Sequence, residues 1–464
     1  MNTKGAIKVQ LPADFIHRMK TMLQDDSERF FSSYKDNKAS GLRVNTLKID
    51  VEAFKNLAPF PIDSIPFCRT GFYYHPADEP GKHPYHHAGL YYIQEPSAMF
   101  VAEVLDAKPG ERILDLCAAP GGKSTQIAGA MKNQGILVAN DIHPKRVKAL
   151  SENIERMGAS HAIVTNETPE KLANHFQGYF DKIVVDAPCS GEGMFRKDPE
   201  AVKYWSLDHV EHCASLQKDI LESAYKMLKE GGILVYSTCT FSPSENEQMI
   251  EKLIDKHPDM QLMPIDKGHG INSGQPDWTE SKLQSLHLTA RLWPHHLKGE
   301  GHFVAKLQKN GRPTKHSIRL AKGISKKINI NDYRTFEKQA LNISIQQPLF
   351  SKNSQLYALP DHCPDFTGLK VIRPGLHLGE LKKNRFEPNH ALAHGLPIDS
   401  YRHKVDLSLN DDSWKKYLRG ETLQTGGDRG WCAVTIEGFP LGWGKEVKGT
   451  LKNFYPKGLR VNVK

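Results

Sequence analysis

The sequence predicts an α/β protein built on a parallel sheet, with a small α/β segment before it and a basic, β-rich module after it. Three observations carry this. From about Tyr91 onward, short apolar runs alternate with helix-like stretches. The residues with chemical character stand at the carboxyl ends of those runs, where ligands bind on open α/β sheets. Beyond "GHFVAKLQ" the chain turns polar and basic, then resumes with short β-like runs.

In chain order, Pro12 and Asp14 open a helix in which Phe15, Met19 and Leu23 recur at helical spacing. "GLRVNTLKID" reads as a short strand. "HPADEPGKHPYHH" reads as a loop; its histidines lack ordered ligand spacing and a carboxylate partner, so no metal site is expected. Next come the apolar runs "RILDLC", "ILVAND", "HAIVTN", "DKIVVDAP" and "GGILVYSTC". Between them lie helical stretches from Lys123 to Met131, Lys145 to Met157, Glu170 to Phe176 and His209 to Leu228. Alternation of this kind gives βαβ units. These boundaries divide the chain into residues 1–90, a core at 91–308, a basic linker at 309–332 and a C-terminal region at 333–464.

Composition narrows the classes. The chain has 464 residues, 39% hydrophobic and 25% charged, a globular profile. No apolar run reaches the length of a membrane span. The N-terminus lacks the apolar core of a signal peptide, so a cytoplasmic protein is expected. Seven cysteines do not make a disulfide framework and leave thiols free for chemistry. Net charge is +9 and unevenly placed: residues 309–464 hold 27 Lys and Arg against 14 Asp and Glu, and the rest holds 35 against 39. A basic appendage on a near-neutral body suits a polyanion such as nucleic acid, or serves solubility alone. No coiled-coil or other interface signal appears, so a monomer is expected.

"DLCAAPGGKST" approximates a P-loop, but Cys117 occupies the first glycine position. Three readings follow: a damaged ATPase loop, a bare strand–helix turn, or a nucleoside site. The third fits best. Ala118, Ala119, Gly121 and Gly122 allow close backbone approach, and Asp141 ends the next strand nineteen residues after Gly122, where an acid binds ribose hydroxyls. Two further motifs, "DAPCSGEGMFRKDP" and "YSTCTFSPSENE", put Asp186 with Cys189, and Cys239, at neighbouring strand ends. A lone cysteine is more often a small buried hydrophobe. A thiol, a carboxylate and a methyl donor together serve methylation of a pyrimidine at carbon 5, where thiolate addition to carbon 6 activates carbon 5. Spacing alone leaves either cysteine as the nucleophile. Such a base must be flipped out or single-stranded.

With "LDLCAAPGGKSTQIA", "LRVNTLK", "YIQEPSAM" and "RLWPHHLKGEGHFVAKL", these motifs resemble the NOP/Sun family of RNA cytosine-5 methyltransferases over about residues 40–307. The C-terminal "RPGLHLGELKKNRFEP" and "PLGWGKEVKGTLKNFYPKGLR" resemble the bacterial RsmF branch, whose members modify small-subunit ribosomal RNA. The resemblance implies a Rossmann-like class I methyltransferase core, a small N-terminal α/β domain and a PUA-like ending. It implies S-adenosylmethionine as cofactor, wrapped by Cys117, Ala118, Ala119, Pro120, Gly121, Gly122 and Lys123, with Asp141 on the ribose. Asp186 would lie beside cofactor and cytosine, Cys239 would be the nucleophile, and Cys189 would help release the product. A cysteine after proline, as Cys189 follows Pro188, is the nucleophile of DNA cytosine methyltransferases, so the competing assignment stays open. The family's acid near adenine has no plain equivalent; Glu167 is the candidate, with Asn166 and Thr168 as alternatives. The partner implied is ribosomal RNA, free or within the small subunit. Transfer RNA or several ribosomal sites are alternative targets; a non-catalytic RNA-binding factor is the alternative class. Arg43, Arg196 and Lys197 are candidates for an RNA groove. Trp414, Trp431 and Trp443 are expected in a core rather than on an RNA platform.

Overall fold

The structure, a computed structural model, describes residues 10–198, 200–312, 318–325, 328–427 and 430–462. The expected basic linker falls partly outside the described residues.

The central sheet carries the alternating elements. Eight of its ten strands are β1 (Arg112–Asp115), β2 (Ile136–Asn140), β3 (Ala162–Thr165), β4 (Phe180–Asp186), β5 (Leu228–Thr238), β6 (Ala290–Leu292), β7 (His302–Lys309) and, from the C-terminal region, β8 (Val371–Arg373); the short strands Met260–Leu262 and Asn272–Ser273 pair with β7 and β6. The order of the eight is β6-β7-β5-β4-β1-β2-β3-β8. β1 to β5 run parallel, and β7 lies antiparallel to β5. Helices α1 (Pro96–Leu105), α2 (Gly122–Met131), α3 (Pro144–Arg156), α4 (Pro169–His175) and α5 (Leu207–Met227) cover the faces. The strand order reverses at β1, between β2 and β4, so a crevice opens beyond the carboxyl ends of these strands.

The residue types explain the elements. Runs such as "ILVAN" and "AIVT" are buried throughout and rich in β-branched residues, as in strands covered on both faces. α3 starts with Pro144 in its first turn and buries Val147, Leu150 and Ile154 at helical spacing. Glu95 caps α1, accepting from the amides of Ser97 and Ala98. Two hydrophobic cores sandwich the sheet, one around Leu114, Ile183 and Leu234, the other around Ile113, Val184 and Val235.

The N-terminal segment begins with the expected helix, Ala13–Leu23, followed by a second over Ser27–Ser33. A four-stranded antiparallel sheet follows, containing Gly41–Val44 and Tyr91–Ile93. The expected His-rich loop folds into short helical turns at Pro76–Asp78, Pro80–Lys82 and Pro84–His87. Each has proline early, and the rings of His75 and His83 accept from the amides of Ala77 and Tyr85. Those two histidines are spent on capping.

The C-terminal region holds a four-stranded sheet over 349–388 and a five-stranded sheet over 404–453. Leu407, Val434 and Leu441 of the latter, with Tyr417 of the helix Ser413–Arg419, share one core with Leu42, Val44 and Tyr91 of the N-terminal sheet and Phe54 of the helix Val51–Leu57. Trp443 and Trp414 are buried and Trp431 packs beside Trp443, as expected of core residues. No helix among the described residues is long and apolar enough to cross a membrane.

Candidate active site

The loop between β1 and α2 lies at the reversal point of the sheet. Gly121 caps α2 with φ of 110°, a conformation that side chains rarely adopt. A Cβ on Gly122 would stand 3.1 Å from Gln94 Nε2, so glycine brings the loop close to the segment before α1. The Ala119–Pro120 peptide is cis. Asp141, at the end of β2, accepts from the amides of Ala119 and His143 and ties the loop to its neighbour strand. Arg146 donates to the Ala119 carbonyl at 2.6 Å.

One cleft gathers Cys117, Ala118, Ala119, Pro120, Gly122 and Lys123 from this loop with Asp186, Cys239 and Lys197. Asp115, Tyr92, Gln94, Glu95, Met194 and His302 complete its walls. Lys123 Nζ donates to Asp186 Oδ2 at 2.6 Å, and Ser237 Oγ donates to Asp186 Oδ1 at 2.8 Å. Burial alone would raise the Asp186 pKa, yet Lys123, His302 and Ser237 hold the carboxyl below its ordinary value. Burial likewise pulls Lys123 down, and Asp186 more than offsets it, so Lys123 stays a firm cation. Asp115 behaves differently: burial pushes it up to about 7 against the hydrogen bond from Ser124 and the charge of Lys123. Its Oδ1 is buried without a hydrogen-bond partner.

The two cysteines meet. β4 and β5 are adjacent and in register at Asp186 and Ser237, so the chain after each strand emerges at the same edge. Cys189 Sγ lies 3.3 Å from Cys239 Sγ, and the Cys239 amide donates to Cys189 Sγ at 3.4 Å. The hydrogen bond to Cys239, burial and the nearby Glu245 all raise the Cys189 pKa well above its ordinary value. Cys189 is therefore held as a thiol. Glu245 fixes its loop by accepting from the Ser190 amide at 2.9 Å and from Gln217 Nε2 at 3.0 Å. Burial pushes the Glu245 carboxyl up to about 7.

Several expected residues lie elsewhere. The Glu167 carboxylate accepts from Lys171 Nζ and from the Lys370 amide. Asn166 donates to the carbonyls of Asp141 and Ile142 and accepts from Lys370 Nζ, and Thr168 caps α4. All three side chains at the end of β3 are thus engaged, Asn166 and Glu167 in part because the residue before β8 docks there and Thr168 by its own helix. Arg43 is no groove residue: it is buried and donates to Gly122 O and Thr125 Oγ1. Arg196 is tied to Glu300, Ser33 O and Gly299 O. Of the three basic candidates, Lys197 lines the cleft.

Sequence reasoning missed His302, Ser237 and Glu245. His302 opens β7, whose pairing of Phe303 with Thr238 sets it beside the end of β5. Its Nε2 stands 4.0 Å from Asp186 Oδ1. The signal was a histidine at the head of the strand paired with the cysteine-bearing one.

Four family models match in tandem. They are the N-terminal domain of 16S rRNA methyltransferase RsmF (residues 11–96), 16S rRNA methyltransferase RsmB/F (102–308), the RsmF rRNA methyltransferase first C-terminal domain (335–396) and the methyltransferase RsmF PUA domain (404–461). A ribosomal RNA small subunit methyltransferase F of Vibrio vulnificus is 34% identical over 97% of this chain and 98% of its own length. One of Shewanella amazonensis is 32% identical over 91% and 92%. Among solved structures, a methyltransferase homolog of Pyrococcus horikoshii is 30% identical with a TM-score of 0.58, covering 67% of this chain and all of its own. NSun6 of the same organism, solved with SFG, shares the fold at a TM-score of 0.56 and 24% identity, over 65% of this chain and 99% of its own. The chain belongs to the RsmB/F family of 16S rRNA methyltransferases.

Proposed function

We propose that this chain methylates carbon 5 of a cytosine in 16S ribosomal RNA, using S-adenosylmethionine and a covalent bond from Cys239. The observation that carries the proposal is the contact of two thiols at 3.3 Å, on the rim of a cleft floored by a glycine loop and an ionised carboxylate. A methyl transfer to oxygen or nitrogen needs no such thiol pair.

The cleft fits the cofactor. Backbone of Cys117 to Gly122 would lie along it, with little side chain in the way, and the buried, unpartnered Asp115 Oδ1 offers a free acceptor. Asp141 would take the ribose hydroxyls once it exchanges its present bond to the Ala119 amide. Bound there, the cofactor supplies an electrophilic methyl group.

The chain's own residues do the rest. Cys239 Sγ adds to carbon 6 of the flipped cytosine and its thiol proton passes to N3, leaving carbon 5 as an enamine nucleophile. Asp186, kept ionised by Lys123, accepts a hydrogen bond from the protonated N3 edge and stabilises that state. After methylation, carbon 5 loses its proton to solvent, the sulfur leaves carbon 6 as thiolate, and the N3 proton returns to that sulfur. Cys189, held as a thiol in contact with Cys239, donates a hydrogen bond to the departing sulfur. Lys197, on the cleft wall, would meet an RNA phosphate.

The cysteine roles are separable. Cys239→Ala is expected to abolish transfer, a loss of at least about 10³-fold for a covalent catalyst. Cys189→Ala is expected to accumulate a protein–RNA adduct on a denaturing gel. An adduct from Cys239→Ala instead would reverse the two roles.

A further inference from the structure

The N-terminal arm and the connection between β6 and β7 bring a carboxylate and two imidazoles to one point. None of the three lines the catalytic cleft. Asp26 Oδ2 lies 2.9 Å from His295 Nε2 and 3.0 Å from His296 Nε2. The other oxygen, Oδ1, accepts from Arg29 at 3.1 Å, which leaves a single oxygen facing both rings. His296 Nδ1 stands 2.6 Å from Asn272 Oδ1. A carbonyl oxygen accepts, so this contact puts the His296 proton on Nδ1. A neutral ring then aims its Nε2 lone pair at a carboxylate oxygen. Two acceptors at that distance repel unless a cation or a second proton lies between them.

We propose that Asp26, His295 and His296 bind a divalent transition-metal ion of the zinc class. The three candidate ligand atoms lie within 4.8 Å of one another. Metal–nitrogen and metal–oxygen bonds of about 2.0–2.2 Å set tetrahedral ligand atoms roughly 3.3 Å apart, so the Asp26 oxygen needs to draw back from each ring by only a few tenths of an ångström. Imidazole ligands favour zinc over magnesium or calcium. The His295 side chain is 2% exposed, whereas Asp26 and His296 are 32% and 22% exposed, so the ion keeps one side open to water. Asp26 immediately precedes the Ser27–Ser33 helix, whose Phe30 packs edge-on against Phe241 at 5.3 Å and Trp293 at 6.0 Å. Phe241 is two residues beyond Cys239. The ion would therefore fasten the N-terminal arm to the β6–β7 connection, beside the Phe30–Phe241 contact two residues from Cys239.

The test uses metal-stripped, tag-free, full-length protein titrated with zinc against a chromogenic chelator, and with cobalt(II) for its visible spectrum. One ion per chain is expected, with no thiolate charge-transfer band. That ion is retained when both Cys189 and Cys239 are replaced by alanine, and is lost in His296→Ala and in the near-isosteric Asp26→Asn. Circular dichroism checks that each variant is folded, and zinc is expected to raise the Tm of the unsubstituted protein but not of His296→Ala. Zinc binding unchanged in both site variants, or abolished by the cysteine replacements, overturns the proposal. So does a folded, unsubstituted protein that retains no ion, which would leave the cluster a plain imidazolium–carboxylate pair.

Discussion

At the scale of single residues, much of the cleft was legible because the chemistry sits in short motifs at strand ends. Cys117 through Lys123 needed only the strand–turn–helix context to be placed. The partner of Lys123 was not legible. Its bond to Asp186 depends on how α2 and β4 lie across a sheet, and nothing in the local sequence encodes that. The partners of Glu167 were not legible either: an acid after β3 suits a nucleoside, and the second claim on its carboxylate comes from Lys370, 203 residues away. Glu245 gives a prediction at this scale. Its folded pKa is raised from 4.5 to about 7. Between those values the folded chain keeps a proton that the unfolded chain loses, so the stabilisation is full below about 4.5 and disappears as pH rises through 7. The slope is at most about 1.4 kcal/mol per pH unit. Glu245→Gln cannot titrate but keeps an acceptor for Ser190. Its urea midpoint is expected to fall less between pH 5 and pH 7 than that of the unsubstituted protein. Asp115 titrates with the same sign, so the decline shrinks without vanishing. An unchanged slope in Glu245→Gln would remove Glu245 as its source.

At the scale of elements, the helices and parallel strands of the core were readable within a few residues. Proline and capping side chains mark the helix starts, and β-branched runs mark the strands. The His-rich segment was not, because three prolines that suggest a loop also sit well in the first turn of short helices. β8 was invisible for another reason. Val371–Arg373 is too short to announce itself, and it pairs with β3 far back in the chain. Its hold is electrostatic as well as hydrogen-bonded: Arg373 forms an ion pair with Glu155 of α3, with side chains 9% and 15% exposed. Removing one partner strands the other charge in a buried place. Arg373→Ala is expected to cost about 3 kcal/mol in urea unfolding. The double substitution Arg373→Met with Glu155→Gln is expected to cost clearly less. A loss of under about 0.5 kcal/mol in Arg373→Ala, the size of an ordinary surface change, would show that this pair does not hold the edge.

At the scale of the whole molecule, charge and packing point in different directions. The positive charge lies in residues 309–464, which suits a module that grips RNA phosphates. That module is not a loose appendage. Its last sheet shares a core with the N-terminal sheet, through Leu407 and Val434 with Leu42 and Tyr91. Deleting residues 333–464 would strip apolar cover from the N-terminal domain, so a loss of RNA binding in such a truncation would confound grip with folding. Sequence alone reveals the charge asymmetry but not this shared core, which joins residues more than 300 positions apart.

The central claim, that this chain marks carbon 5 of a cytosine in 16S ribosomal RNA through Cys239, is tested most directly by bisulfite sequencing of that RNA. Cells carrying the gene, lacking it, or carrying only Cys239→Ala are compared. A protected cytosine is expected in the first and in neither of the others. An identical protection pattern in all three would contradict the claim.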